Sequence, residues 1–592
     1  MIGRRPLLLA GLLGVFASPA TPAEVRIGRQ GGAVRLMIGG KPVQIRGVGG
    51  DGSLELLKRI GGNAVRTWGA DQLSATLDAA QKRGIRVAAG IWLGHERHGF
   101  RYSDPAQIER QKEEVRRVVL AHRDHPALLL WSLGNEMEGD GTSELIWKAV
   151  NDLAVMVKDL DPRHPVMTVI AEAPPEKVRN LHRLCPAVDI VGINAYGGAA
   201  TLGERYARAG GRKPFILTEF GPLGHWEAGR TAWGAAIEAT SSEKAGMYRK
   251  AWTETVQRSP LCLGGFAFLW GQKQETTATW FGMLLPDGTR LAAADVLQKL
   301  WTGAEPANRC PVIRALTPVG PAETTPGAEL TVRLTASDPD GDRLSAEWTL
   351  QAEPAATGSG GDAEATPPIF PEAIVRAGVD SAVVRMPAAP RGYRLFVSVR
   401  DGKGGGATAN LPLLVRNTGA IDRAPRARLP MALYAEAGDP TPYSPSGWMG
   451  GTGSIRLDPD SADRPFAGRT ALRCAYLAAD GWGGVVWQNP SGDWGDRPGG
   501  YDLSGARRLV WHARGARGGE VVSFLFGLLG PDKPFADTVR LKLENVTLPA
   551  EWKRYEIPLD GAALARIKTA FGWTVAGQGR PVEFYLDDIR IE

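Results

Sequence analysis

The chain has 592 residues, which is enough for three or four domains that each bury a core of their own. Its 43% hydrophobic and 23% charged residues are ordinary for a soluble globular protein, and its 75 glycines and 42 prolines indicate many turns. The net charge of +6 is spread along the chain without a basic block or a nucleic-acid motif, so we expect no nucleic-acid partner.

The N-terminus has the pattern of an export signal. Arg4 and Arg5 precede an apolar stretch, residues 7–17, that is too short to span a bilayer, and small residues follow before Glu24. The pattern predicts a signal peptide over residues 1–23 and a periplasmic or secreted mature protein. An uncleaved membrane anchor is the alternative. No later segment is apolar for long enough to cross a membrane.

The four cysteines neither suggest a disulfide framework nor have the spacing of metal ligands. We therefore predict small buried side chains or one incidental bridge. We expect no metal and no other cofactor.

A βα alternation repeats from residue 41 to about residue 300. Its Val/Ile/Leu-rich runs predict eight strands, at residues 45–50, 64–68, 85–93, 127–136, 165–170, 189–196, 214–220 and 264–270. The intervening segments have helix signals, such as Ser103 and Pro105 at one start and Gly84 at one end. The pattern predicts a parallel (β/α)8 TIM barrel. An open doubly wound sheet fits less well because "RGVGGDGS" is a weak phosphate-binding turn.

Two β-rich regions follow the predicted barrel. Alternating strands with Asp-Gly turns predict a small Ig-like β-sandwich, and a second set of short, aromatic-rich strands runs to the C-terminus. We therefore divide the chain into residues 1–23, 24–305, 306–418 and 424–592. The insert "EPAATGSGGDAEATPP" at 353–368 is of low complexity and is predicted to be a loop without fixed structure.

Two carboxylates stand at predicted strand ends, where the reacting groups of a parallel barrel lie. Asn135 and Glu136 end the fourth strand and Glu219 ends the seventh. Strand order places these two ends across the barrel axis from each other. Carboxylates placed there can flank the anomeric carbon of a sugar, one as an acid and one as a nucleophile. Either glutamate alone could instead be structural.

Four stretches of this region resemble the clan A glycoside hydrolases, which are retaining barrel enzymes. They are "GGNAVRTWG" at 61–69, "WSLGNE" at 131–136, "GINAY" at 192–196 and "LTEFG" at 217–221. The resemblance implies that Glu136 is the general acid/base and Glu219 the nucleophile. It implies that Asn135 holds the sugar 2-hydroxyl. Glu138 and Glu227 are the nearest alternatives in sequence, but both lie past the strand ends.

Other residues at strand ends and in loops are candidates for substrate binding. Arg66 could bond to Glu219 and keep it ionised, Tyr196 could donate to the same carboxylate, and Trp270 could stack on the sugar. Structural alternatives are a salt bridge between loops for Arg66 and packing at the rim for Tyr196 and Trp270. The remaining candidates are Trp68 and the loop residues His95, His98, His225, Trp226, Glu227 and Trp280.

The two C-terminal regions resemble accessory domains of exported enzymes. Residues 312–417 resemble PKD or cadherin-like sandwiches, and residues 431–592 resemble jelly-roll carbohydrate-binding modules through "WKRYEIPLD" and "FYLDDIRIE". Within the first, "DPDGD" at 338–342 allows calcium binding, but we favour a turn because the EF-hand spacing is absent. Candidates for sugar stacking in the last domain are Trp482, Trp487, Trp494 and Trp511.

The sequence thus predicts an exported retaining glycosidase or transglycosylase acting on a β-linked polysaccharide, with a β-glucan favoured. A non-catalytic carbohydrate-binding or scaffold protein and a metal-dependent barrel lyase or hydrolase are the alternatives. Two glutamates at the right strand ends argue against the first, and the lack of metal-ligand spacing argues against the second. We expect the C-terminal domains to tether polymer, so a chain that stops after residue 305 should keep its activity on short oligosaccharides and lose activity on long or insoluble glucan. The alternative is that these domains pack against the barrel and complete its cleft.

Overall fold

The computed structural model describes residues 24–354, 358, 361–416, 424–531 and 533–592. The predicted export signal lies outside the described residues. In the part that is described, no helix has the length and apolar character needed to cross a bilayer. The four cysteines, at 185, 262, 310 and 474, are buried free thiols.

A three-stranded antiparallel sheet precedes the barrel and was not predicted. Its strands are β1 Val25–Gln30, β2 Ala33–Ile38 and β3 Lys41–Val43. Gly31 and Gly32 have φ of 57° and 79°, which suits the two-residue turn of a hairpin. Leu36 of β2 belongs to the same buried apolar cluster as Phe266 inside the barrel, so this sheet covers one end of the barrel.

Eight parallel strands close into a barrel, which confirms the predicted (β/α)8 fold. The strands are β4 Ile45–Gly49, β5 Ala64–Arg66, β6 Arg86–Ile91, β7 Leu128–Leu133, β8 Val166–Ala171, β9 Ile190–Asn194, β10 Phe215–Phe220 and β11 Cys262–Phe268. The helices are α1 Leu54–Arg59, α2 Leu73–Gln81, α3 Pro105–His122, α4 Glu144–Leu160, α5 Pro175–Leu184, α6 Leu202–Arg208, α7 Ser241–Ala251 and α8 Ala292–Thr302.

Helix α3 illustrates how local sequence sets the element boundaries. Asp104, rather than the predicted Ser103, caps the helix by accepting from the backbone N–H of Ala106 at 2.9 Å. Pro105 occupies the first helical position, where its missing N–H costs no hydrogen bond.

The middle domain consists of two sheets that share one apolar core. Its strands are β12 Arg290–Leu291, β13 Val312–Pro318, β14 Glu323–Thr324, β15 Glu329–Ser337, β16 Ser345–Ala352, β17 Ile374–Ala377, β18 Ser381–Arg385, β19 Gly392–Arg400 and β20 Gly405–Val415. Strand β12 comes from the segment between β11 and α8 and pairs with β20. The barrel segment therefore contributes a strand to a sheet of the middle domain.

The C-terminal domain also consists of two sheets around one core, with six and five strands. Its strands are β21 Met431–Tyr434, β22 Ser444–Gly450, β23 Ile455–Ser461, β24 Ala471–Tyr476, β25 Trp482–Gln488, β26 Arg508–Gly515, β27 Val521–Phe526, β28 Leu541–Thr547, β29 Lys553–Pro558, β30 Thr569–Ala576 and β31 Val582–Ile591. Among hydrogen bonds that join described residues, none connects residues 424–592 to the rest of the chain.

A cluster of buried charged and polar groups joins the barrel to the middle domain. The side chain of Arg394 is 1% exposed; it donates to the carbonyl of Ala236 at 2.8 Å and to the side-chain oxygen of Asn410 at 2.6 Å. Asn410 in turn donates to Glu238 at 2.6 Å, and Lys244 also bonds to Glu238. We call Ala236, Glu238, Lys244, Arg394 and Asn410 the interdomain cluster.

Candidate active site

Glu219 lies at the end of β10 and accepts hydrogen bonds from three side chains. Arg66 Nη1 and Trp68 Nε1 donate to its Oε1, both at 2.8 Å, and the Tyr196 hydroxyl donates to its Oε2 at 2.7 Å. Glu219 is 6% exposed, so little water competes with these donors. Every one of these bonds uses the carboxylate as an acceptor, which is the role of an ionised carboxyl group.

Tyr196 can only act as a donor in this arrangement. Burial and the neighbouring Glu219 carboxylate raise the pKa of Tyr196 well above its usual value. Its hydroxyl therefore keeps its proton and stabilises negative charge on Glu219.

Glu136 follows β7, and its surroundings favour the protonated form, unlike those of Glu219. Burial, followed by the negative charge of Glu219, raises the pKa of Glu136 to about 7. Asn194 Nδ2 donates to its Oε1 at 2.6 Å and partly offsets this rise. Its backbone has φ of 52°, in the left-handed region that non-glycine residues rarely adopt and that often marks functional positions. A carboxyl of this kind holds a proton near neutral pH and can donate it.

A chain of side-chain hydrogen bonds joins the two carboxylates. Arg66 Nη2 donates to Asn135 Oδ1 at 2.6 Å, and Asn194 Nδ2 donates to the same oxygen at 3.1 Å. These two donors fix the orientation of the Asn135 amide. Among described residues nothing accepts from Asn135 Nδ2, and Asn135 lines the cleft, so its N–H group is available to a ligand.

The cleft at this end of the barrel has a volume of about 640 Å³. This volume falls within the range of small-molecule sites. Predicted residues that line it are Trp68, Asn135, Glu136, Tyr196, Glu219, His225, Trp226 and Glu227. Arg66 lies behind Glu219 with 1% of its surface exposed, where it contacts the carboxylate rather than the open cleft.

Besides Arg66, four predicted binding residues do not line the cleft: Trp270, Trp280, His95 and His98. Strand β11 ends at Phe268, two residues before the predicted end, and Trp270 is fully buried with its Nε1 donating to the carbonyl of Ser53 at 3.1 Å. The prediction that Trp270 stacks on the sugar is therefore wrong. His95 is 3% exposed and its ring stacks against Trp92, so it supports the cleft wall from behind.

The structure adds cleft residues that sequence reasoning missed. They are Trp92, Ala171, Glu172, Asn194, Phe268, Leu269, Lys273, Glu275, Gly358, Gly361 and Asp362. Trp92 and Asn194 lie at the ends of predicted strands and could have been found by that rule. Gly358, Gly361 and Asp362 come from the low-complexity insert of the middle domain, which was predicted to lack fixed structure. Its described residues contact the barrel instead.

The two alternative glutamates have structural partners. Glu138 is 1% exposed and accepts from Lys177 Nζ at 2.7 Å and from the backbone N–H of Ala171 at 2.9 Å. Glu227 accepts from the backbone N–H groups of Gly197 and Gly224 at 2.9 and 2.8 Å. Both carboxylates thus hold loops of the barrel rim in place.

One group of carboxylates away from the cleft could hold a metal ion. Oxygens of Asp338, Asp342 and Asp401 lie within 4.8 Å of one another. Lys403 Nζ already pairs with Asp342 at 2.6 Å, and Asp401 accepts from Asn308 at 2.7 Å. The backbone N–H of Gly341 donates to the carbonyl of Asp338 at 3.3 Å, which is the turn favoured from the sequence.

The tryptophans of the C-terminal domain fall into two groups. Trp487 and Trp511 are core residues with 1% and 0% exposure, and Trp494 is half-buried. Trp482 is 51% exposed at one edge of a groove of about 490 Å³. Ser523, Lys542, Asn545 and Thr574 also line this groove, which we call the Trp482 groove.

Comparison with known proteins agrees with the geometry of the barrel. The family described as "Glycosyl hydrolases family 2, TIM barrel domain" matches residues 37–255, which include Glu136 and Glu219. Residues 37–255 are thus similar in sequence to this TIM-barrel domain, and their strands close into an eight-stranded parallel barrel. The predicted resemblance of the two C-terminal domains to specific modules stays a prediction.

Individual relatives cover only part of this chain. A β-glucuronidase from Sus scrofa is 27% identical over 225 residues, which is 32% of each protein. A β-galactosidase from Klebsiella pneumoniae is 30% identical over 152 residues, 22% of this chain and 14% of the relative. The chain thus spans a third or less of these relatives. The solved Bacteroides uniformis β-glucuronidase 2 aligns with 95% of this chain and 67% of its own, at 14% identity and a TM-score of 0.38.

Proposed function

We propose that the chain is an exported, retaining glycoside hydrolase or transglycosylase that acts on a β-linked polysaccharide, with a neutral β-glucan as the favoured substrate. The observation that carries the proposal is the contrast within one cleft. Glu136 has a pKa raised to about 7, whereas Glu219 accepts from three donors. Two carboxyl groups in opposite protonation states are what double displacement at a sugar requires.

The reaction then proceeds in two displacements. Glu219 attacks the anomeric carbon while Glu136 gives its proton to the leaving oxygen, and the glycosidic bond breaks as a glycosyl ester forms. Glu136 next takes a proton from water or from a sugar hydroxyl, which attacks the same carbon and releases Glu219. Water gives hydrolysis and a sugar gives transglycosylation, and both return the original anomeric configuration.

Charge in the cleft supports a neutral sugar. Besides the catalytic pair, Glu172, Glu227, Glu275 and Asp362 line the cleft, whereas Lys273 is the one lysine or arginine among the lining residues described. Lys273 pairs with Glu275 at 3.2 Å. Arginines outside the lining pair with Glu172 at 2.6 Å and with Asp362 at 3.2 Å, which leaves carboxylates in excess over cations around the cleft. A uronic acid would bring a further carboxylate into this field, which costs free energy that a neutral sugar avoids.

The C-terminal domain supports a polymeric substrate. In the Trp482 groove an exposed indole stands beside hydroxyl, amide and amine side chains on one face of neighbouring strands. Such a surface offers stacking and hydrogen bonds to a sugar chain without demanding one register. We propose that it holds glycan and raises the concentration of chain near the barrel.

Incubation of the pure protein with a panel of β-linked substrates tests the proposal. The panel contains β-1,3- and β-1,4-glucans, β-galactosides and β-glucuronides, with products identified by mass. We expect turnover of a neutral β-glycan, its loss in Glu219→Gln, and the β-anomer as the first product seen by NMR. A first product with α configuration would contradict double displacement, and products from no substrate would favour the non-catalytic binding protein.

A further inference from the structure

The loop that joins β16 to β17 in the middle domain lies against the rim of the barrel. Residues 361–364 belong to the segment between β16 and β17, and two hydrogen bonds tie them to the segment that follows β11. Lys273 Nζ donates to the carbonyl of Gly361 at 2.5 Å, and the backbone N–H of Thr276 donates to Glu364 Oε2 at 2.7 Å. Hydrogen bonds to the barrel therefore hold this part of the middle domain at the cleft.

Asp362 is the charged side chain that this connection adds to the cleft wall. Arg97 Nη2 donates to its carboxylate at 3.2 Å, and His98 Nε2 lies 3.3 Å from it. The side chain remains 39% exposed. A carboxylate has about four acceptor sites, so two protein partners leave capacity for the hydroxyl groups of a ligand.

Trp92 lies in the same part of the cleft wall. Its side chain follows β6 and is 43% exposed, and its ring stacks on His95 with centroids 4.7 Å apart and an angle of 18°. His95 Nδ1 lies 2.9 Å from Arg97, the residue that also bonds to Asp362. His95 and Arg97 thus connect the Trp92 indole to the Asp362 carboxylate.

This combination suits a sugar ring in particular. The C–H face of a sugar packs on an aromatic surface, while its hydroxyl groups need acceptors at the edge. Trp92 and Asp362 make no hydrogen bond to Glu136 or Glu219 among described residues, yet all four line one cleft. The indole and carboxylate therefore stand beside the reaction centre rather than in it.

We propose that Trp92 of the barrel and Asp362 of the middle domain form a binding position for a second sugar unit, next to the unit whose bond is cleaved. The inference rests on the proposed glycosidase function and deepens it. The barrel alone provides the catalytic carboxylates and the aromatic surface. The middle domain provides the acceptor, so specificity for chain length depends on both domains.

The dependence of kcat/KM on substrate length, compared between Asp362→Ala and wild type, tests the proposed second-sugar position. The probes are nitrophenyl β-glucoside, which carries one sugar, and β-1,3- and β-1,4-gluco-oligosaccharides of two to five units, or the galacto- series if wild type prefers it. We expect kcat/KM on oligosaccharides of three or more units to fall about tenfold, mainly through KM. The loss should be smaller on the single-sugar probe and smaller in Asp362→Asn, which keeps an acceptor. Asp380→Ala, an exposed aspartate of the middle domain away from the cleft, should match wild type.

Two results would overturn the position. One is an equal loss on all probe lengths together with a lowered Tm, which a purely structural Asp362 predicts. The other is no loss on the longest probe.

If the proposed glycosidase function is wrong, the wild-type protein will be inactive on every probe. This outcome differs from both results that would overturn the second-sugar position. In that case, calorimetry with the same oligosaccharides, in Glu219→Gln and in Glu219→Gln/Asp362→Ala, still decides whether Asp362 contributes to binding. Equal affinity in the two proteins, or no binding in either, would reject the position.

Discussion

Glu136 and Glu219 carry the same functional group, and their surroundings separate their roles. Three donors around Glu219 favour the anion, whereas burial and the charge of Glu219 favour the protonated form of Glu136. Arg66 links the two environments because its guanidinium donates both to Glu219 and, through Asn135, to the hydrogen-bond chain that ends at Glu136.

The two glutamates should fail in different ways when they are replaced. Glu219→Gln should lose turnover of every substrate because no nucleophile remains. Glu136→Ala should lose turnover of natural glycans yet still form the glycosyl intermediate from substrates with a good leaving group, which need no acid. Added azide should then restore product as a β-glycosyl azide, detectable by mass spectrometry. Full activity of either variant would reject the assignment, and Glu204→Gln, at an exposed residue of α6 that does not line the cleft, serves as the control for a change of charge.

The raised pKa of Glu136 also predicts a pH-dependent change in stability. Between its ordinary value of 4.5 and about 7, the folded chain holds a proton that the unfolded chain has released. The free energy of unfolding therefore falls as pH rises through this window, by about 3 kcal/mol at about 1.4 kcal/mol per pKa unit. Glu136→Gln should be more stable than wild type at pH 8 and similar to it at pH 4. Urea unfolding at both pH values measures the difference, and an equal difference at both would contradict this origin.

At the scale of elements, the barrel strands were predictable because each is an apolar run bounded by turn residues. The rule that strand ends carry chemistry then located Glu136, Glu219 and Tyr196. It failed at Trp270 because β11 ends two residues early, at Phe268. Asp362 could not be found in this way, because its place at the cleft depends on packing between domains and leaves no local pattern.

The close contact between barrel strands β11 and β4 can be tested by a glycine substitution. A Cβ added to Gly264 of β11 would lie 2.2 Å from the carbonyl oxygen of Ile45 in β4, and the φ of Gly264 is 133°. Gly264→Ala should therefore lose several kcal/mol of stability or fail to fold, because backbone cannot yield as a flexible side chain can.

Gly246 is the matched control. It lies exposed in α7, and an added Cβ would meet nothing within 4 Å. Gly246→Ala should raise the free energy of unfolding by up to about 1 kcal/mol because alanine favours helix. Thermal unfolding of both variants measures the contrast, and equal effects at the two positions would contradict the packing argument.

At the scale of the whole molecule, the two accessory domains relate differently to the barrel. The interdomain cluster buries charges of the barrel against those of the middle domain, and β12 joins a middle-domain sheet. Removing the middle domain would leave Glu238 and Lys244 without Asn410 and Arg394, and would remove Asp362 from the cleft. This packing argues against the sequence-based expectation that all residues after 305 are dispensable for short substrates.

Two shortened chains separate the domains by function. A chain that ends at residue 416 keeps the interdomain cluster, so we expect it to fold and to hydrolyse short oligosaccharides as the full chain does. Its apparent KM on long or insoluble glucan should rise, because the tether is gone. A chain that ends at residue 305 should be unstable or inactive on every length, because Glu238 and the carbonyl of Ala236 lose their buried hydrogen-bond donors and β12 loses its partner strand.

The variant Trp482→Ala in the full chain distinguishes tethering from other effects of shortening. It changes a side chain that is 51% exposed, so we expect the fold to be retained and the loss on polymer to resemble that of the chain ending at residue 416. Kinetics on a length series, with Tm measured for each protein, compares all four. Equal loss at every length in the chain ending at residue 416 would contradict tethering. Full activity of the chain ending at residue 305 on short substrates would contradict the dependence of the cleft on the middle domain.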